Sequence, residues 1–332
     1  VCSPSYYASN IAPSVAIYSI SGWFDGAAYA NSSISRFLGM RNNSHRLLLG
    51  PWDHGARTNV SPWRDTTTPE FPVLGEVLRF FDHHLCGIET GLEREKPVHY
   101  FAMHSEQWHA CDDWPPPAAP MRLYPSAGGG LQYGGPGDAG QTGYQVDFTV
   151  GTGTQTRLER LGLSHVETYY PDWNEHQDGM LNFTSTPLPA PVELTGHPLV
   201  SLKFSSSERD AALYIYLTEV LADGTCKYIT EGMLRALHRE GLADPARYPA
   251  SWPMHRFDRA SARLMTPLEA VRMEFALFPN AWTFSAGSAI RISIAGSDFG
   301  HAPQVPHGRP PRLEIFHGVG GTWLDLPVRS IP

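Results

Sequence analysis

The chain has 332 residues, of which 42% are hydrophobic and 17% charged, and a formal net charge of -8 with a pI near 6.0. That acidic balance argues against a general affinity for nucleic acid, whose phosphates require a basic face, and no apolar run approaches the length that crosses a bilayer. The length exceeds a usual single core, so a soluble, globular chain of two domains is expected.

Residues 14 to 20 form an apolar, β-branched run that fits a buried parallel strand, with Asp25 in the loop at its C-terminal end. From Gly26 to Met40 the apolar positions Ala30, Ile34, Phe37 and Leu38 fall at helical spacing, and residues 46 to 49 make a second short strand ending in Gly50-Pro51. His54 follows it. A further helix is expected from Gly75 to Cys86, with Val77, Leu78, Phe81 and Leu85 on one face packed against a sheet and Gly87 as its stop. Residues 97 to 103 read as another strand, after which Pro115-Pro116-Pro117 and Pro120 break regular structure.

Beyond this point the pattern changes to short alternating or β-branched runs at 121–124, 199–205, 212–221, 228–237, 271–277 and 289–295, separated by Gly, Pro, Asp and Asn turns. This is an all-β sandwich pattern. The glycine clusters at 128–130 and 134–137 lack the strand before and the helix after that a phosphate-binding loop needs. Cys2, Cys86, Cys111 and Cys226 lie far apart with no C-x-x-C pair, so neither a zinc site nor a dense disulfide framework is expected. The chain opens Val1-Cys2-Ser3-Pro4, with no initiator Met and no visible signal peptide, which fits a fragment.

An acid and then a histidine, each at a strand end, form the second half of a catalytic triad. In α/β-hydrolases the order is nucleophile, acid, histidine, so the serine belongs before Asp25, where no nucleophile elbow is present. The plainer reading of Asp25 is a cap on the following helix, and that of His54 a surface loop residue among 15 histidines. Asp53 adjoins His54, but neighbours on an extended loop point apart. His83 and His84 are consecutive, unlike the i, i+4 spacing of helical zinc ligands, so no metal is expected there. Trp52, two residues before His54, is expected beside a substrate pocket, while Trp23, Trp63 and Trp108 fit pocket or core equally. Ser126 lies after the histidine and lacks the first elbow glycine, and Ser21 stands on the strand itself, so no nucleophile is assigned.

Gly22-Trp23-Phe24-Asp25, Gly50-Pro51-Trp52-Asp53-His54, the helix from Leu78 to Gly87, the segment from Val98 to Pro116 and the late run Phe284 to Ile294 together resemble the cocaine esterase and X-prolyl dipeptidyl peptidase family of serine hydrolases. The resemblance covers nearly the whole chain. It implies Asp25 as triad acid and His54 as triad base, a partial α/β-hydrolase domain over 1–117 and a jelly-roll β-sandwich over 118–332. It implies an ester or prolyl-peptide substrate, no cofactor, and as partner the missing N-terminal hydrolase segment, in the same gene product or as a second chain. The expected fold class is α/β plus all-β. Homo-oligomerisation and compartment stay open, and the alternative function is a non-catalytic β-sandwich that binds a ligand or carbohydrate.

Overall fold

The computed structural model describes residues 4–26, 29–41, 43–56, 58–64, 72–161, 166, 168–242 and 249–330. Cys2 and the Ala27–Ala28 part of the expected first helix lie outside the described residues. Two compact units form, one of Val1–Pro117, Arg157–His165 and Asp244–Ser251, the other of Ala118–Thr156, Val166–Ala243 and Trp252–Pro332. Two later segments therefore group with the first unit, in addition to the N-terminal stretch. Among the described residues no helix is long and apolar enough to cross a membrane.

The first unit runs strand β1 (Ile17–Gly22), helix α1 (Tyr29–Gly39), strand β2 (His45–Gly50), helix α2 (Val73–Cys86), strands β3 (Val98–Ala102) and β4 (Gln107–Cys111), and the short helix α3 (Arg157–Leu161). Its sheet has the order β1-β2-β3-β4. The first three strands are parallel, and β4 returns antiparallel to β3. Parallel neighbours need a crossover. Helix α1 supplies it between β1 and β2, burying Ala30, Ser33, Ile34 and Phe37 at i, i+3, i+4 and i+7. All six residues of β2 are buried, as a central parallel strand requires. Among the described strands β1 pairs with β2 alone, which leaves its other side without a strand partner.

Helix α2 corrects the sequence expectation. Phe80 is its buried residue, and that ring meets Tyr18 of β1 with centroids 5.4 Å apart. Leu74, Leu78, Phe81 and Leu85 are 75%, 60%, 48% and 77% exposed. The helix is amphipathic as its periodicity indicates, but one aromatic anchors it; of the expected face Val77 is half-buried while Leu78, Phe81 and Leu85 are largely exposed. Gly87 does end the helix, with φ at 66° in the left-handed region.

The second unit is all-β. It contains β5 (Ala119–Ser126), β6 (Gly130–Gln132), β7 (Gly140–Gln145), β8 (Leu181–Ser185), β9 (Val192–Gly196), β10 (Leu199–Ser206) and β11 (Ala212–Val220). There follow β12 (Cys226–Arg235), β13 (Val271–Ala276), β14 (Asn280–Phe284), β15 (Ala289–Ala295), β16 (Arg312–His317) and β17 (Trp323–Ser330). One layer is built on β10, β16 and β17, the other on β11, β12 and β15. Strand β5 passes between them, pairing first with β17 and then with β6. The layers meet across a buried core. Trp282 Nε1 of β14 donates to Glu219 Oε2 of β11 at 2.8 Å, and Asn280 Nδ2 donates to the Ile229 carbonyl of β12 at 2.7 Å.

Pro120, expected to interrupt regular structure, lies inside β5. It stands opposite Pro327 of β17 in the register, so the two residues that cannot donate to a ladder face each other. Strands β6 and β7 escape the sequence reading because the one is three residues long and the other is rich in glycine and polar residues.

Candidate active site

The acid and histidine loops leave the same end of the sheet because β1 and β2 are parallel and in register, Gly22 opposite Gly50. The loops then bind one another through backbone. Trp23 N donates to Gly50 O at 3.0 Å and Phe24 N to Trp52 O at 3.0 Å. Such close approach demands glycine at both strand ends. A Cβ on Gly22 would lie 2.0 Å from Trp52 O, and one on Gly50 would lie 2.3 Å from the Trp52 ring.

These contacts bring Asp25 and His54 together across 29 positions of sequence, with Nδ1 2.8 Å from Oδ1. Asp25 is nearly buried, its side chain 12% exposed, whereas that of His54 is 46% exposed. With Nδ1 donating to the carboxylate, Nε2 is the ring nitrogen left to accept a proton from outside. The other carboxylate oxygen, Oδ2, accepts from Ser21 Oγ at 3.3 Å. Ser21 is thus buried support for the acid. The Tyr29 ring lies 5.1 Å from that of His54, centroid to centroid. Beyond His54 the chain turns sharply through Gly55 at φ 115° and Ala56 at φ 49°. The Ala56 N–H donates to Asp53 O at 3.3 Å.

The tryptophans lie beneath these loops. Trp52 is fully buried, its ring 5.7 Å from that of Trp108 on β4, so it supports the histidine loop from below. Trp23 is buried as well, and its Nε1 donates to Phe101 O of β3 at 2.7 Å. Trp63 stacks on His104 with centroids 3.8 Å apart. Arg157 of α3 places its guanidinium 5.5 Å from the centre of the ring of Phe24, the residue before Asp25 in the chain.

Two features of the site were not visible in sequence. Ser21 carries no motif of its own, and Trp108 and Phe101 act from a hairpin whose pairing only folding reveals. His83 and His84, on α2, have rings 4.7 Å apart and perpendicular, and His84 packs on Phe80 at 4.5 Å. Among the described residues no group of three or more His, Cys, Asp or Glu side chains is placed to hold a metal ion.

Residues 90–317 match the model of the X-Pro dipeptidyl-peptidase C-terminal non-catalytic domain. A protein of Mycobacterium bovis that carries the name of a serine esterase is 40% identical over 328 residues, 98% of this chain and 52% of that protein. The cocaine esterase of Rhodococcus is 29% identical over 241 residues, 68% of this chain and 41% of that one. The solved structure of a CocE/NonD family hydrolase from Staphylococcus aureus superposes with a TM-score of 0.72 at 16% identity, covering 95% of this chain and 54% of the other. The chain spans about half the length of the mycobacterial relative.

Proposed function

Because this chain belongs to the X-Pro dipeptidyl-peptidase C-terminal domain family and is similar to the cocaine esterase and to a CocE/NonD family hydrolase structure, we propose that it is the C-terminal portion of a serine hydrolase. In this reading residues 1–117 are part of an α/β-hydrolase domain and 118–332 a jelly-roll β-sandwich. His54 is the general base and Asp25 its orienting acid. The observation that carries the proposal is the 2.8 Å bond between His54 Nδ1 and Asp25 Oδ1 at the ends of adjacent parallel strands.

The chemistry follows from that bond. A serine hydroxyl is a weak nucleophile until a neutral imidazole takes its proton, and the carboxylate behind the ring fixes the tautomer and stabilises the imidazolium. His54 Nε2 accepts the serine proton as the oxygen attacks the carbonyl carbon, then delivers it to the leaving alcohol or amine. Water, deprotonated by the same nitrogen, cleaves the acyl-enzyme and restores the serine. The substrate class is an ester or the amide bond after an X-Pro pair. Trp52 acts here by holding the loop that carries the base.

The serine comes from a nucleophile-bearing hydrolase segment, of the same gene product or a second chain. Its docking surface is the unpartnered side of β1 together with the Leu74, Leu78, Phe81 and Leu85 stripe of α2. The two are adjacent, since Phe80 of α2 rests on Tyr18 of β1. The length of the mycobacterial relative outside the match is the chain such a segment requires.

The test is the intact mass of the natural gene product, with p-nitrophenyl ester hydrolysis by that product and by the 332-residue chain. A heavier product that hydrolyses the ester and loses activity on His54→Ala, beside an inert 332-residue chain, supports the reading. An inert product no larger than this chain overturns it and turns attention to ligand binding by the β-sandwich.

A further inference from the structure

We propose that Glu106 is a positioning residue for His54, contributed by a hairpin that lies inside the segment matching a non-catalytic domain. The match covers residues 90–317, yet β3 and β4 at 98–111 fold with the first unit. There they complete the sheet of the acid and histidine loops.

The hairpin grips both loops. Phe101 O receives the Trp23 indole N–H, two residues before Asp25. Trp108 packs on Trp52, two residues before His54. Glu106 holds the returning end of the histidine loop, at its base, where its Oε1 accepts from Ser61 Oγ at 2.5 Å. That loop is closed at its base by Val60 N donating to Pro51 O at 2.7 Å, by the Trp52 to Asn59 bridge, and by Ser61 N donating to Asn59 Oδ1 at 2.9 Å. Asn59 and Ser61 are fully buried, so this base does not shift freely. His54 projects from the loop between the closing residues.

The turn that presents Glu106 is itself constrained. His104 has φ 77° and Glu106 φ 52°, left-handed values that residues with a Cβ adopt only where the surroundings over-determine them. The same Oε1 that binds Ser61 also accepts from His104 N at 3.0 Å. One carboxylate oxygen thereby fixes both the turn and the loop. Arg64 flanks the pair, donating to Ser61 O at 2.7 Å. A base must stay within a fraction of an ångström of its productive position, since a misplacement near 1 Å costs on the order of 100-fold in rate.

The inference rests on reading His54 and Asp25 as base and acid, and its test separates the two. In the 332-residue chain, nitrogen NMR of the His54 ring reports which nitrogen carries the proton and at what pH the ring titrates. The expected native result is an Nδ1-protonated tautomer. Glu106→Ala and Ser61→Ala are each expected to mix the tautomers, with the fold retained by circular dichroism. Glu106→Gln, whose amide oxygen accepts the same two bonds, is expected to restore the native signature. In the ester-hydrolysing product Glu106→Ala is expected to lower kcat about 100-fold with KM little changed. Native His54 spectra in both alanine variants overturn the positioning role. A shifted tautomer with a full-length product that hydrolyses no ester overturns the catalytic reading and leaves the positioning role standing.

Discussion

Gly22 and Gly50 stand opposite one another at the ends of two parallel strands, and each leaves room that Trp52 fills, with its carbonyl over Gly22 and its ring over Gly50. This packing sets the separation of the acid and histidine loops. It accounts physically for a Gly-Trp-x-Asp segment and a Gly-Pro-Trp segment in one chain. The backbone of Trp52 occupies the space above Gly22, while its ring fills the space above Gly50 in its own segment.

Gly22→Ala and Gly50→Ala therefore test the scaffold rather than the chemistry. Each new methyl would meet fixed atoms, 2.0 Å from Trp52 O or 2.3 Å from its ring. Overpacking of this kind costs about 1–3 kcal/mol. Urea unfolding should place both variants in that range, and values indistinguishable from the native chain would show that Trp52 moves aside freely.

Asp25→Asn should act on the chemistry with little effect on the fold. The amide keeps the shape but lets the wrong His54 tautomer form, a change that lowers kcat about 10⁴-fold in triad enzymes. The measurement is ester hydrolysis by the full-length gene product, alongside thermal melting. A loss smaller than about tenfold would remove Asp25 from the acid role.

The α2 stripe should be an association surface. Leu78 and Leu85 are among its most exposed residues, so Leu78→Glu with Leu85→Glu should alter the stability of the 332-residue chain by less than ~0.5 kcal/mol per site. Sedimentation velocity should show reduced self-association of the double variant. Mixed with the part of the mycobacterial relative outside the matched residues, the native chain should form a complex and the double variant should not. A complex that tolerates both charges would place the contact elsewhere.

Acid should weaken the first unit through His45. Burial, with Arg36 and Arg41 nearby, lowers its pKa from the ordinary 6.5 to about 4, and its Nε2 lies 2.9 Å from Ser19 Oγ. The unfolded chain binds a proton at this ring that the folded chain refuses, so stability falls as pH drops from about 6.5 to about 4. Above that window the contribution is constant. Urea titrations at pH 7, 5.5 and 4.5 should show a slope that His45→Gln reduces, and an unchanged slope would assign the acid sensitivity to other groups.

The strand, helix, strand order of the first unit is legible from local pattern, because β2 is buried throughout and α1 keeps helical spacing. The run at 14–20 marks β1 less exactly, since the strand is Ile17–Gly22, its Ile17, Tyr18 and Ile20 are half-buried at the sheet edge, and Val15 is exposed. Asp25 and His54 are legible too, since a loop after a parallel strand is where α/β sheets present functional groups. Apolar, β-branched runs such as Ala289–Ala295 declare themselves by composition. The orientation of α2 does not, because an amphipathic pattern shows that a face is apolar without showing whether anything covers it. Strand β4 likewise becomes visible only through its pairing with β3.

Sequence alone determined the types of the main elements, their order, and the two residues that meet at the sheet end, because those depend on local periodicity and on motifs a few residues long. Tertiary structure decided what lies far apart in the chain. It set the register that places Gly22 beside Gly50, the burial of Trp52 beneath the histidine, the exposed stripe on α2, and the hairpin that carries Glu106 to Ser61 across 45 positions. The physical reason is that these features depend on packing and hydrogen bonding between distant segments, which no local preference encodes.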